Sequence, residues 1–481
     1  MSRHNADCFF GALSGIISQT GLQLEPHETE RAAPLAVFFP ENMEQVRQII
    51  LAAGKYKIPL VPVSSALVCA DAGARGSGDA VVVDFSRMKK IYKIDALSRY
   101  AWIEPGVTFG ALIPALKEQG MRLNMPLLPN PGKSVVASLL EREPVIIPKY
   151  QYDYVDPLLT LEVVYGTGDD FRTGSASGPG PIETLKADKV NPWGPGAVDY
   201  MRFLTGAQGT MGFVTWAVVK TEILPSLRKL FFVSGSNPKP LTTLINTLLA
   251  KRVPDECLLL NNVELAALLS ENDTEYGVLK AALPRWTLIT CIAGYDRYPE
   301  ERVRIQEKYL YEMAAGIGLK PETALPSAGS KTALLSDRLT GCRDNTACRN
   351  SFEIGCRSIF FLTPISRAAG FTDMMSQAAG DAGFAEERLG IYIQPLVQGR
   401  GCHVEFSLYY DEADPAEKSV ADRLFTLASE TLMDSGAFFS RPYGEWADMV
   451  YGRCGESVAA LKKLKSIFDP DNILNPGILC F

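Results

Sequence analysis

Four side chains able to do chemistry fall on one face of a single stretch. In Gly401 to Asp411, His403, Glu405, Ser407 and Tyr409 alternate with Val404, Phe406, Leu408 and Tyr410. A period of two is the signature of a strand, so one face is apolar and the other carries an imidazole and a carboxylate. An imidazole titrates near neutral pH, and a carboxylate beside it can take or hold a proton. The plain alternative is a polar face turned to water on a half-covered antiparallel sheet. The other two histidines, His4 and His27, lie near the N-terminus, outside any strongly patterned element.

What positions that face depends on the rest of the chain. At 481 residues, two or three domains are expected, each able to bury a core. A formal net charge of −7 and the lack of any dense Lys/Arg cluster argue against nucleic acid as a partner. Ten cysteines show no CxxC pair and no Cys/His cluster at zinc spacing, which predicts no metal site and fits reduced thiols in the cytoplasm. Cys342, Cys348 and Cys356 lie closest together, but at no standard iron–sulfur spacing. No apolar run is long enough for a membrane span, and the N-terminus makes a poor signal peptide.

From residue 36 strands and helices alternate. Asn42 is placed to cap a helix with a Val46, Ile49, Ile50, Ala53 stripe that Gly54 ends. Strands are expected at Ile58 to Val63, Val81 to Phe85 and Tyr100 to Glu104, then a helix from Thr108 to Gly120. A proline-punctuated segment (126 to 148) leaves room for a short helix near Ser138 to Arg142, and a hairpin turns at Gly166 to Asp169. The Ser/Gly/Pro loop from Gly174 to Pro195 is long enough to suggest function or mobility. A boundary falls near Leu224-Pro225. Beyond it two rounds of strand, helix and strand predict an antiparallel sheet covered by helices on one side, free to cover something with the other.

Several stretches, in order, resemble the flavoproteins of the vanillyl-alcohol oxidase and p-cresol methylhydroxylase (PCMH) type. They are Val81 to Met88 with Ile91, Ile103 to Thr108, Ser134 to Arg142, Glu162 to Gly174, the Gly209 to Gly212 turn, and Phe468 to Gly477. Ser134 to Arg142 is the one most similar to the phenol-oxidising branch. The resemblance implies an α+β fold: a two-subdomain PCMH-type FAD-binding domain over 1–225, with 440–481 returning to it, and a cap domain over 226–439. It implies FAD held by Ser64, Ser65, Pro129, Ser134, Ser138, Gly209, Thr210, Gly212 and Asn475, with His403 in the setting of a histidine joined covalently to the flavin. It places Arg441, Tyr443, Tyr152 and Glu405 around a substrate, Arg441 standing where the family holds a phenolate. The sequence departs from the family in three places: Ala66, Val68, Cys69 and Ala70 fall where a glycine-rich diphosphate cradle is usual, Ser440 replaces a tyrosine, and Asn130 stands near the place of an aspartate beside the flavin. The activity implied is oxidation of a para-substituted phenol or aryl alcohol by hydride transfer to flavin N5. Two alternatives are a 2-hydroxy acid dehydrogenase of the glycolate or D-lactate type and a non-catalytic flavoprotein-like subunit of a redox complex. The expected partners are a small-molecule substrate, an electron-accepting cytochrome or iron–sulfur subunit, and further copies of the chain in a homo-oligomer.

Overall fold

Asn42 caps the helix Met43–Tyr56 through the Gln45 amide, and Val46, Ile49, Ile50 and Ala53 are its buried stripe. The helix runs past Gly54 and stops where Lys57 turns left-handed at φ 56°, so the glycine did not end it. The computed structural model describes residues 3–14, 22–23, 35–65, 80–177, 199–342 and 354–481. Residues 66–73 of the expected cradle (64–73), residues 178–195 of the expected loop (174–195), Cys69, Cys348 and His27 lie outside these.

Three sheets form the frame. β1 (Leu22–Gln23), β2 (Ala36–Phe38), β3 (Leu60–Val63) and β4 (Val81–Asp84) make the first, in the order β1-β2-β4-β3, with β4 parallel to both β2 and β3. The second holds β5 (Ile91–Asp95), β6 (Tyr100–Ile103), β7 (Met121–Leu123), β8 (Leu158–Val164), β9 (Asp170–Arg172) and β10 (Phe213–Ile223). Its order is β5-β6-β10-β8-β9, and β7 also pairs with β10. The C-terminal segment returns to this half: Leu474 bridges Leu60, and buried Lys465 donates to Asp469 and to the carbonyls of Thr210 and Leu474.

The third sheet is antiparallel throughout. Its strands are β11 (Leu227–Gly235), β12 (Cys257–Asn261), β13 (Trp286–Gly294), β14 (Pro321–Glu322), β15 (Ile354–Thr363), β16 (Leu389–Leu396) and β17 (Gly401–Asp411), in the order β14-β11-β13-β12-β16-β17-β15. One face, with Val404, Phe406 and Leu408, packs under the helices Pro238–Ala250, Pro299–Ala315, Ile365–Ala382 and Pro415–Asp434. The other face, expected from sequence to be free, is not wholly so. Over β11 to β13, Phe232, Leu258, Leu260 and Ile289 are covered by the helices Asn262–Leu269 and Thr332–Arg338 and by Leu127, Leu128, Ile146 and Ile147 of the first half. His403 and Glu405 lie on the β16-β17-β15 side of this face.

A buried ionic knot closes the two halves on each other. Arg122 of β7 donates to Asp255 (3.0 Å) and Glu256 (2.7 Å), Lys149 donates to Asp255 (2.6 Å), and Tyr150 meets Tyr295 (3.1 Å).

Candidate functional site

Strand register decides what surrounds His403. On β17, His403 lies opposite Leu362 of β15 and Gln394 of β16, and Glu405 lies opposite Phe360 and Tyr392. Cross-strand partners share a face, so a histidine, a carboxylate, two aromatics and an amide meet in one patch. His403 Nε2 and Glu405 Oε2 are 3.1 Å apart, and both side chains are buried. Tyr392 donates to Gln394 Oε1 (2.9 Å), whose amide donates across to the Val145 carbonyl of the first half. The polar stripe is therefore not a water-facing surface. Its far end is closed by Tyr409, which donates to buried Glu264 at 2.9 Å.

Arg441 reaches the same patch from the segment after the last cap helix. Its guanidinium carbon stands 4.1 Å from the centre of the Phe360 ring, and that ring is 6.0 Å from His403 and 6.3 Å from Tyr443. Arg441 is only 8% exposed, and its carbonyl accepts from the Tyr443 amide, yet among the described residues its guanidinium makes no hydrogen bond and no ion pair. A buried guanidinium ordinarily finds a carboxylate or carbonyl. One left with only an aromatic face is set for an anionic or charge-developing oxygen.

From the first half a second charged group faces Arg441. Lys133 pairs with Glu141 (3.4 Å) and Glu143 (2.5 Å), and Ser138 donates to Glu143 (2.5 Å). Burial pushes the Glu141 carboxyl up. Burial acts on Glu143 in the same sense, but Lys133 and Arg441 outweigh it and hold Glu143 below the ordinary carboxylate range. Sequence reading missed this cluster, and it missed Phe360. The signal available was a pair of carboxylates flanking Arg142, whose own guanidinium goes elsewhere, to Thr205.

The other expected cofactor residues divide into two groups. Ser134 caps the helix Val135–Leu140 and donates to the Pro105 carbonyl; Thr210 donates to Ala207. With Ser138 bonded to Glu143, these three hydroxyls are spent on the protein itself. A Cβ on Gly209 would lie 2.3 Å from Pro62, and one on Gly212 would lie 2.4 Å from Val163, so the closeness these glycines allow is to protein atoms. Ser64 and buried Ser65 stand at the end of β3, and Pro129 is buried in the turn that Asn130 closes on the Gly132 amide. Asn475 hangs from the same strand: its amide N–H goes to the Leu60 carbonyl, and its side chain donates to Gln208. Its Oδ1 is buried with no partner. Tyr152 does not join the site. It is 58% exposed and stacks beneath Lys220 and Arg252, because the chain from Gln151 to Asp156 turns outward around the Asp156 carboxylate.

Residues 34 to 174 match the family model described as an FAD binding domain. The chain is 24% identical to the flavoprotein subunit of 4-cresol dehydrogenase (hydroxylating) from Pseudomonas putida, over 94% of this chain and 89% of that one. It is 23% identical to the glycolate oxidase subunit GlcD of Bacillus subtilis, over 93% and 89%. Its fold superposes on that of 4-ethylphenol oxidase from Gulosibacter chungangensis with a TM-score of 0.79 at 19% identity, covering 99% of this chain and 97% of that one. The chain carries an FAD-binding domain and is similar over most of its length to FAD-linked oxidoreductases of the PCMH type. The PCMH-type fold, with its antiparallel cap sheet, is thus the expected one. The residues in place fit FAD: Asn475 offers an orphaned acceptor beside β3, and Arg441 offers an unpaired cation at the cap face. Among the described residues no helix is long and apolar enough to cross a membrane, and no group of side chains could hold a metal ion.

Proposed function

We propose that this flavoprotein oxidises a para-substituted phenol or aryl alcohol. The observation that carries the reading is Arg441, buried, set over Phe360 and unpaired. When bound, FAD supplies the two-electron acceptor for the substrate's hydride. Arg441 holds the substrate oxygen, and its fixed charge lowers the pKa of a phenol beside it and stabilises the negative charge that develops there. Phe360, Tyr392 and Tyr443 give walls on which an aromatic ring can pack. Glu405 is the cap carboxylate within reach of the same patch, and it takes the proton leaving the substrate hydroxyl. Asn130, an amide engaged in its own turn, has no such capacity.

His403 is the proposed covalent attachment residue, with Glu405 on Nε2 fixing the imidazole ring. The chain ranges proposed for the two domains are 1–225 with 440–481, and 226–439. A cytochrome or iron–sulfur subunit is the proposed electron acceptor; both sequence relatives described above are themselves subunits. The proposed setting is the cytoplasm, with the chain as a homo-oligomer.

A second reading is favoured by the glycolate oxidase relative: a 2-hydroxy acid whose carboxylate Arg441 would hold. Dye reduction by the purified protein with 4-hydroxybenzyl alcohol and with D-lactate separates the two. Turnover of D-lactate in preference to the phenol would overturn the first reading.

A further inference from the structure

The backbone that carries Arg441 is held from two directions. On the cap side, Phe438 and Leu362 exchange both bonds of a bridge (2.8 and 3.0 Å), and the guanidinium rests over Phe360. Just beyond, the chain closes a tight three-residue turn: the Tyr443 amide donates to the Arg441 carbonyl at 3.0 Å around Pro442, whose ring fixes its own φ. Arg441, Pro442 and Tyr443 are therefore one stiff piece. The first half takes hold of that piece through Gln208, whose Nε2 donates to the Pro442 carbonyl at 3.3 Å. Gln208 is itself fixed from behind. The side chain of buried Asn475 donates to its carbonyl (2.7 Å), and buried Lys465 donates to the carbonyl of Thr210 two residues on. The Gln208 backbone is left-handed, at φ 50°, between Gly206 and Gly209 at φ 79° and 74°. A glycine would take that conformation without strain, as its neighbours do, but would bring no donor to Pro442.

We propose that Gln208 is a positioning residue, which ties the Arg441 turn to the first half so that the guanidinium is set against that half as well as against the cap sheet. It rests on the reading of Arg441 as the group that holds the substrate oxygen, and it names what places that group. A guanidinium fixed to the cap alone would follow every small movement of the cap, and a misplacement of about 1 Å at a reacting centre is costly. Gln208 removes that freedom with a single neutral hydrogen bond. The net worth of such a bond is modest, so its loss should slow the reaction by about five- to tenfold and should not abolish it.

The test is a double-mutant cycle on the FAD-loaded full chain. It is read by dye reduction with 4-hydroxybenzyl alcohol and, without turnover, by the spectrum of bound 4-nitrophenol, whose phenolate form a nearby guanidinium favours. Gln208→Gly deletes the tether at a φ that suits glycine, so FAD content and melting temperature should hold. In that variant kcat/KM is expected to fall by about five- to tenfold, and the phenolate share of bound 4-nitrophenol should fall with it. In an Arg441→Met background the same substitution should cost less than about twofold, because no guanidinium is left to place. Losses that multiply across the two sites overturn the tether, and so does a Gln208→Gly variant within about twofold of wild type in kcat/KM. Gln208→Leu keeps the bulk without the donor; it should match the glycine variant and decides in its place if that one fails to fold. An Arg441→Met variant as active as wild type would instead overturn the functional reading itself, whatever Gln208 does.

Discussion

Asp255 is where the two halves can be loosened without touching the flavin side. It is fully buried and accepts from Arg122 (3.0 Å), Lys149 (2.6 Å), the Ala293 amide (3.2 Å) and the Tyr295 hydroxyl. Replacing it by Asn keeps the shape and removes the charge. Arg122 still has Glu256, but Lys149, itself buried, loses the carboxylate it is bonded to. Breaking one side of a buried pair costs about 3–5 kcal/mol. At about 2.1 cal/mol/K per residue, the 481-residue chain has an unfolding entropy of roughly 1 kcal/mol/K, so the melting temperature should fall by about 3–5 °C if the halves unfold together.

The sign of the pH dependence adds a second check. Burial lowers the Lys149 pKa in the native state, and losing Asp255 removes the main influence that opposes it. The unfolded chain then holds more protons than the native one between the depressed value and that of a free lysine, so the variant gains stability as pH rises through that interval. The deficit of Asp255→Asn measured by calorimetry should therefore shrink from about pH 7 to about pH 9.5. Adding Lys149→Met should recover part of it at neutral pH, since an apolar group needs no partner. An unchanged melting temperature in Asp255→Asn, or a deficit that Lys149→Met deepens, would refute this account of the knot.

Three further outcomes bear on the site. Acid precipitation of wild-type protein should carry the flavin into the pellet, and His403→Ala should leave it in the supernatant; free flavin from the wild type would remove His403 as the attachment residue. Arg441→Met should lower kcat/KM for a phenolic substrate by about 10²–10³, the usual cost of losing a preorganised charge at a reacting oxygen, with FAD content unchanged; steady-state dye reduction reads this, and a loss under about fivefold would move the oxygen away from Arg441. Tyr152→Phe should leave both kinetic constants within about twofold, because its ring lies outside the patch; a large drop would return that tyrosine to the substrate pocket.

The parts of the molecule that could be read from sequence are those where period and punctuation agree. Val46, Ile49, Ile50 and Ala53 have helical spacing behind a capping Asn42, and they pack as that spacing predicts. His403 to Tyr410 alternates strictly, and β17 runs through it. The stretch from Cys257 to Leu269 gave no such signal. Leu258-Leu259-Leu260 and, but for Glu264, Val263 to Leu269 are apolar on every side, so neither a period of two nor one of 3.6 emerges, and both β12 and the helix after it went unseen. That helix is what closes the polar stripe at Tyr409.

The site was legible in its types but not in its pairings. A period of two can place His403 and Glu405 on one face, yet only the register across β15 and β16 brings Phe360 beneath Arg441. No local pattern encodes that encounter, because the two residues lie far apart in the chain and meet through the bridge of Leu362 to Phe438. The same holds for Glu141 and Glu143. In sequence they flank an arginine and look like its ion-pair partners; in the fold Arg142 turns to Thr205, and Lys133 takes both carboxylates. What surrounds Arg441 is thus set by two pairings that spacing alone would have assigned differently. A resemblance that transfers only the arginine transfers its charge without these neighbours.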